Sequence, residues 1–582
     1  MAGFPPPQTY RPAITGSHYV ASTGHYLATM ASTRILEMGG NAIDAGVAGG
    51  MCINVLQPDM TNMGGVAPII LYSAKDDAVF SISGLGTWPQ AASREYFLNE
   101  RGGEIPVGVN RCVMPAAIDA WLTALKRFGT LSFAEVAAPA IALAEEGFAT
   151  FFFFRSNIEA DAAGLAKWPS SAEVFLPNGR VPDIGERFVQ KDLGKMLRML
   201  IEAEDGAKHQ GREAGIQAAR DRFYKGDIAE RVAEFHQEHG GFLTLDDLAN
   251  FSVEVEEPVS VNYRGHDVYA CRTWCQGAVA PHALKILEGY DLASMGHNSA
   301  DTLHLIIQAL NAAFADREQY YGDPRFVDVP IDGILNGDYA VEWRDRINME
   351  QAFPGLPEPG NPWKHQAGNG ATAPQPYIAP REFAGRVEPD TSYLCVIDED
   401  GNAFSATPSD GASGSPVIPG LGFIVSGRGK QSWLDADHPA SLEPGKRPRL
   451  TPSPGLIMKD GKVFAPYGSP GSDVQPQAMT QLAVNLIDFG MDPQVAIEAP
   501  RVASYSYPRS DHPHPYAPGV MNAEARISGD VIAELVRRGH KVEAWPEWTP
   551  RAGSLCTIVV DEQNGMLIGG ADSRRISYAI GW

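Results

Sequence analysis

Apolar residues recur at helical spacing over residues 23–57: Leu27, Met30, Ile35 and Leu36, then Ile43, Val47 and Met51. Gly39-Gly40-Asn41 interrupts the run, so the pattern predicts one helix ending at glycine and a second starting on asparagine. The period then shortens, and residues 67–73 and 78–83 read as a strand pair. Helical spacing returns over 114–146, broken at Phe128-Gly129, with Ser132 placed to cap the second half. Charged helices are predicted over 189–238, strands over 259–271, and helices over 277–289 and 300–321.

Periodicity stops at residues 354–389, where proline and glycine crowd the chain. Residues that cannot donate to a ladder or hold a helix predict a flexible linker or a long surface loop. From Thr391 the pattern is short and strand-like: 392–398, 402–407, 421–426, 455–459 and 463–467. Helices follow at 474–489 and 529–539, and a strand pair at 555–571. The chain therefore divides into a helix-rich part, 1–390, and a strand-rich part, 391–582.

Composition narrows the function. A 44% hydrophobic, 20% charged chain of 582 residues is globular and large enough for a substantial core. A net charge of −23 repels phosphate backbones, so no nucleic-acid partner is expected. No apolar run reaches the length of a membrane span, and no secretory pattern opens the chain. Six scattered cysteines fit a reduced protein, and the expected location is the cytoplasm. Cys271 and Cys275, and His512 and His514, lack further ligands at metal spacing. Neither a metal nor a cofactor is expected.

The end of the proline-rich run carries candidate chemistry. A threonine hydroxyl needs a neighbouring base to become a nucleophile, and an N-terminal threonine finds one in its own α-amine. That amine titrates near 7.7–8.0, so part of it is unprotonated at neutral pH. Thr391 acquires such an amine if the bond after Asp390 is cut. The Gly-Ser-Pro-Gly turn at 468–471 brings backbone N–H groups close to any ligand there.

Taken together, several segments resemble the γ-glutamyltransferase family of N-terminal nucleophile hydrolases. They are VASTGHYLATMASTRILEMGGNAIDAGVAGG near the start, AAPAIALAEEGF, DTSYLCVIDEDGNAFSATPS, GKRPRLTPSPGLIMKDGK, YGSPGS, AIEAPRV and GGADSRR, in family order. The resemblance implies an α/β fold of the αββα four-layer sandwich type. It also implies self-cleavage into a large fragment, 1–390, and a small one, 391–582, held as a heterodimer or a dimer of these. Thr391 matches the nucleophile, Ser409 a hydroxyl that orients it, and Gly471 and Ser472 the pair forming the oxyanion hole.

The pattern departs from the family at the amino-acid clamp. Leu85 stands where a carboxylate-binding arginine is expected, Leu450-Thr451 where a serine pair is, and Gly411 where an asparagine is. Arg428 and Lys430 replace expected acids, and Arg449 lies nearby in sequence. Basic groups suit an anionic substrate part and reject an ammonium. The expected activity is hydrolysis of a small carboxylate-bearing amide through an acyl-enzyme, as in oxamate amidohydrolases or acylase-like members. The alternatives are a γ-glutamyl hydrolase or transferase with a rearranged clamp, and an unprocessed binding protein that keeps the fold.

Overall fold

The computed structural model describes residues 9–366 and 391–582. The predicted break at Gly39-Gly40-Asn41 separates helices Tyr26–Glu37 and Ala42–Leu56, and Asn41 forms a capping box with Asp44. Ser132 does the same with Glu135 for helix Phe133–Glu146. Each box satisfies backbone donors that a helix start leaves unpaired, worth about 1 kcal/mol.

Two seven-stranded antiparallel sheets form the centre. In the first, the order is Tyr578–Gly581, Val20–Thr23, Leu394–Ile397, Ala403–Ala406, Ile69–Ser73, Ala78–Ile82 and Val255–Glu256. In the second it is Ile14–Gly16, Met566–Ala571, Cys556–Asp561, Lys462–Gly468, Gly455–Lys459, His266–Ala270 and Val259–Tyr263.

Strand alternation assigns each face to a different apolar layer. Leu394 and Val396 join the layer under helices Ala42–Leu56, Ala117–Phe128 and Phe133–Glu146. Tyr393, Cys395 and Ile397 join Leu456, Met458, Cys556 and Ile558 between the sheets. Helices Val279–Leu287, Ala300–Tyr320 and Gln475–Ile487 cover the outer face of the second sheet through Val261, Val268 and Ile457. The result is helix, sheet, sheet, helix: the αββα sandwich.

Strand Leu394–Ile397 lies inside the first sheet, with Leu394 opposite Ala406 on one side and Thr23 on the other. Residue 391 thus opens a fully supported central strand. The expected strand at 421–426 is not one. It makes a single bridge, Val417 to Ile424, and is otherwise irregular. Its apolar character reflects burial of Leu421, Phe423, Ile424 and Val425 in the helical layer. Two of its donors go to the 62–65 loop, Ser426 N to Gly64 O at 2.9 Å and Ile424 N to Asn62 Oδ1 at 3.0 Å, while Leu421 N and Gly422 N turn back to Ile418 O. Of the predicted linker, 354–366 includes the short turn Pro362–His365 and is pinned by Gly360 N on Asp316 at 3.0 Å. The rest, including Asp390, lies outside the described residues.

Candidate active site

The antiparallel pair Leu394–Ile397 and Ala403–Ala406 brings Thr391 beside Ser409. Both side chains are fully buried, and their hydroxyl oxygens stand 2.9 Å apart. Ser392 N donates to Pro408 O at 3.0 Å and Ser409 N to Val66 O at 2.9 Å, so both backbones are tied. Gln475 Nε2, at the start of helix Gln475–Ile487, donates to Thr391 Oγ1 at 3.4 Å. Arg575 Nη1 donates to Thr391 O at 3.2 Å, which fixes the residue from its other side.

Close backbone approach explains two glycines here. A Cβ on Gly65 would sit 2.3 Å from Ser409 O, and one on Gly411 would sit 1.9 Å from Asp59 O. Gly411 is where the family pattern carries asparagine, and this backbone leaves that side chain no room.

The short helical turn Arg428–Gln431 faces the hydroxyl pair. Arg428 is fully buried; its Nη2 donates to Ser409 Oγ, its Nη1 to Thr451 Oγ1 at 3.5 Å, and its Nε lies 2.8 Å from Asp410 Oδ1. Asp410 also accepts from Ser426 Oγ at 2.6 Å. Lys430 is held by Asp511 at 3.1 Å, and Gln431 Nε2 bridges Asp511 at 2.7 Å and Thr451 Oγ1 at 2.9 Å. Burial raises the Asp511 pKa, but Lys430 and Arg428 pull it down to about 2. Arg449 donates to Glu318 at 2.7 Å and to Arg317 O at 3.1 Å, over the Trp433 ring. Burial lowers its pKa to about 10.

Gly471 and Ser472 form the corner before the short helix Ser472–Val474, both at positive φ, 129° and 54°. The corner is braced from behind. Arg317 Nη1 donates to Asp473 Oδ1 at 2.6 Å and to Gln276 Oε1 at 2.8 Å. Gln276 Nε2 donates to Ser472 O and to Thr451 O, each at 3.0 Å.

A hydroxyl pair at the head of a central strand, with a donor-rich corner next to it, suits nucleophilic attack on a carbonyl. Known proteins agree with that geometry. A family model described as Gamma-glutamyltranspeptidase matches residues 28–582. The chain belongs to this family. It is a hydrolase of the N-terminal nucleophile fold. It is 33% identical to the Glutathione hydrolase-like YwrD proenzyme of Bacillus subtilis (strain 168), over 98% of this chain and 99% of that one. It is 33% identical to the Acylase ACY 1 proenzyme of Pseudomonas sp. (strain SE83), over 96% of this chain and 92% of that one. The crystal structure of a cephalosporin acylase from Bacillus halodurans matches with a TM-score of 0.84 at 29% identity, covering 100% of this chain and 99% of that one.

Within this gamma-glutamyltranspeptidase frame, Thr391, Ser409, Arg428 and Thr451 form one connected hydrogen-bonded group. Leu85, 1% exposed, belongs to the apolar layer between the sheets, together with Ile70 and Trp274. The sequence reading missed Asp410, Gln475, Asp511, Arg575 and Asp59. Asp410 was adjacent to a named residue, and Gln475 stood just past the glycine turn. Asp511 carried no local signal: it reaches Gln431 across 80 residues. Asp59 is buried; burial raises its pKa to about 6, against the hydrogen bond from Asn157 and the charge of Arg575. His514 stacks on the Trp433 ring at 3.8 Å.

Proposed function

We propose that this chain is a proenzyme that cuts its own Asp390–Thr391 bond and then hydrolyses a small carboxylate-bearing amide. The 2.9 Å contact between Thr391 and Ser409, immediately after a run of linker composition, carries the reading. The names of the Bacillus and Pseudomonas proenzymes support a processed precursor. The two fragments, 1–390 and 391–582, remain together because the strand after Thr391 pairs with Val20–Thr23 of the other fragment. Six buried free thiols suit a reducing compartment, and we place the enzyme in the cytoplasm.

In the processed enzyme, Thr391 Oγ1 attacks the amide carbon and its α-amine takes the hydroxyl proton. The carbonyl electron pair moves onto oxygen, which the N–H groups of Gly471 and Ser472 receive. The intermediate collapses, the C–N bond breaks, and the α-ammonium returns its proton to the leaving amine. Water, deprotonated by the same amine, then frees the acid. Ser409 orients the nucleophile, and Arg428 supplies positive charge next to it for a substrate carboxylate.

Purified protein should yield fragments 1–390 and 391–582, the second starting at Thr391 by N-terminal sequencing. Thr391→Ala should stay a single chain. Cleavage of that variant at the same bond would point to an outside protease and overturn the proposal.

One observation favours a second reading. Asp410 and Asp511 stand beside Arg428 and Lys430, so acids that the local sequence lacked return through space. Such acids suit the α-ammonium of a γ-glutamyl group, the substrate of the glutathione hydrolases. Turnover of γ-glutamyl-p-nitroanilide above that of oxamate and glutaryl-p-nitroanilide would establish that reading in place of the first.

A further inference from the structure

Ser472 bears two costs that a glycine would avoid. Its φ of 54° is left-handed, a conformation that a residue with a side chain adopts at a penalty. Its Oγ is buried and meets no hydrogen-bond partner among the described residues. A buried hydroxyl without a partner also lowers stability. The N–H groups of Gly471 and Ser472 likewise find no acceptor among the described residues. One corner thus holds three donors that meet no acceptor among the described residues.

The corner does not drift. Gly471 O accepts from Val474 N at 3.0 Å, Ser472 O accepts from Gln276 Nε2 at 3.0 Å, and Asp473 is tied to Arg317 at 2.6 Å. Three residues further on, Gln475 Nε2 reaches Thr391 Oγ1 at 3.4 Å. Adjacent donors fixed in this way form a concavity for negative charge. The negative charge expected beside Thr391 is the oxygen of the tetrahedral intermediate.

We propose that the Ser472 hydroxyl is a third donor to that oxyanion, beside the two backbone N–H groups. This rests on Thr391 being the nucleophile. As the Thr391 Oγ1–carbon bond forms, the carbonyl π pair moves to oxygen and the Ser472 hydrogen bond strengthens. No proton leaves Ser472. When the carbon–leaving-group bond breaks, the pair returns and the hydrogen bond weakens.

The probe is p-nitrophenyl acetate, which releases one p-nitrophenolate per site as Thr391 is acylated. Abolition of this burst by Thr391→Ala tests the nucleophile separately; a burst that survives removes the basis of the proposal. Ser472→Gly removes the hydroxyl and relieves the backbone, so it should fold with a Tm at or above that of the parent. Its acylation rate at saturation should nonetheless fall about 100-fold, the loss typical of one oxyanion donor. Ser472→Ala should fall equally, because it lacks only the hydroxyl. A parental rate in Ser472→Gly would overturn the assignment. So would a change confined to the concentration for half-saturation, which would make Ser472 a ground-state contact instead.

Discussion

Arg428→Met is the most informative single change at the site, because the side chain balances the Asp410 charge and, on the proposed reading, also meets the substrate. Arg428 and Asp410 are 0% and 2% exposed, and Nε stands 2.8 Å from Oδ1. Methionine keeps most of the volume but leaves the Asp410 carboxylate, which accepts from Ser426 Oγ at 2.6 Å, buried without its guanidinium partner. Breaking one side of such a pair costs about 3–5 kcal/mol, far more than the ~1 kcal/mol of an exposed pair. Asp410→Asn removes the stranded charge, so the double variant should recover at least about 2 kcal/mol relative to the sum of the single changes. The cycle is best measured by urea unfolding in the Thr391→Ala background, where processing cannot differ between variants. Kinetics of the processed double variant then separate the two roles. Restored stability with a raised KM for a carboxylate-bearing amide assigns Arg428 to the substrate. Single changes costing under ~1 kcal/mol each, and adding without coupling, would refute the buried pair and the charge argument built on it.

Three further outcomes follow from burial and charge. Asp511, at about 2 in the folded state, is depressed below its unfolded value near 3.9; the stability it lends is complete above pH 4 and lost as pH falls toward 2. Asp511→Asn should therefore lower Tm at pH 7 and converge on the parent below about pH 2. Asp59 has the opposite sign: raised to about 6, its charged form costs about 3 kcal/mol above that pH, and the cost vanishes as pH falls through 4. Asp59→Asn should raise Tm at pH 8 and converge on the parent near pH 3.5, and an equal Tm at both pH values would refute the burial argument. Gly411→Asn must push its Cβ out from 1.9 Å of the Asp59 carbonyl, so the variant should accumulate as insoluble precursor; a soluble, processed product would show that the loop yields.

Elements set by neighbours in sequence were legible. The break before Ala42, the cap at Ser132 and the hairpin that pairs Leu394 with Ala406 all follow from local pattern and turn chemistry. The strand that pairs with Leu394–Ile397 on its other side, Val20–Thr23, was not, because four buried residues carry no alternation to read. Residues 421–426 failed in the opposite direction: an apolar run says buried, and only its partners decide whether it is a strand.

Charge at the site was the hardest quantity to read, and the reason is physical. A basic stretch in sequence predicts a positive surface only if its countercharges are also local. Here Arg428 finds Asp410, Lys430 finds Asp511 and Arg449 finds Glu318, from separate parts of the chain. Each pairing spends part of the charge that the sequence appeared to offer the substrate. What distinguishes Arg428 is that its guanidinium also reaches Ser409 and Thr451, so its charge is felt beside the Thr391–Ser409 hydroxyl pair. On the proposed reading, specificity turns on one arginine shared between an aspartate and the hydroxyl pair, and a substrate carboxylate would compete with Asp410 for it.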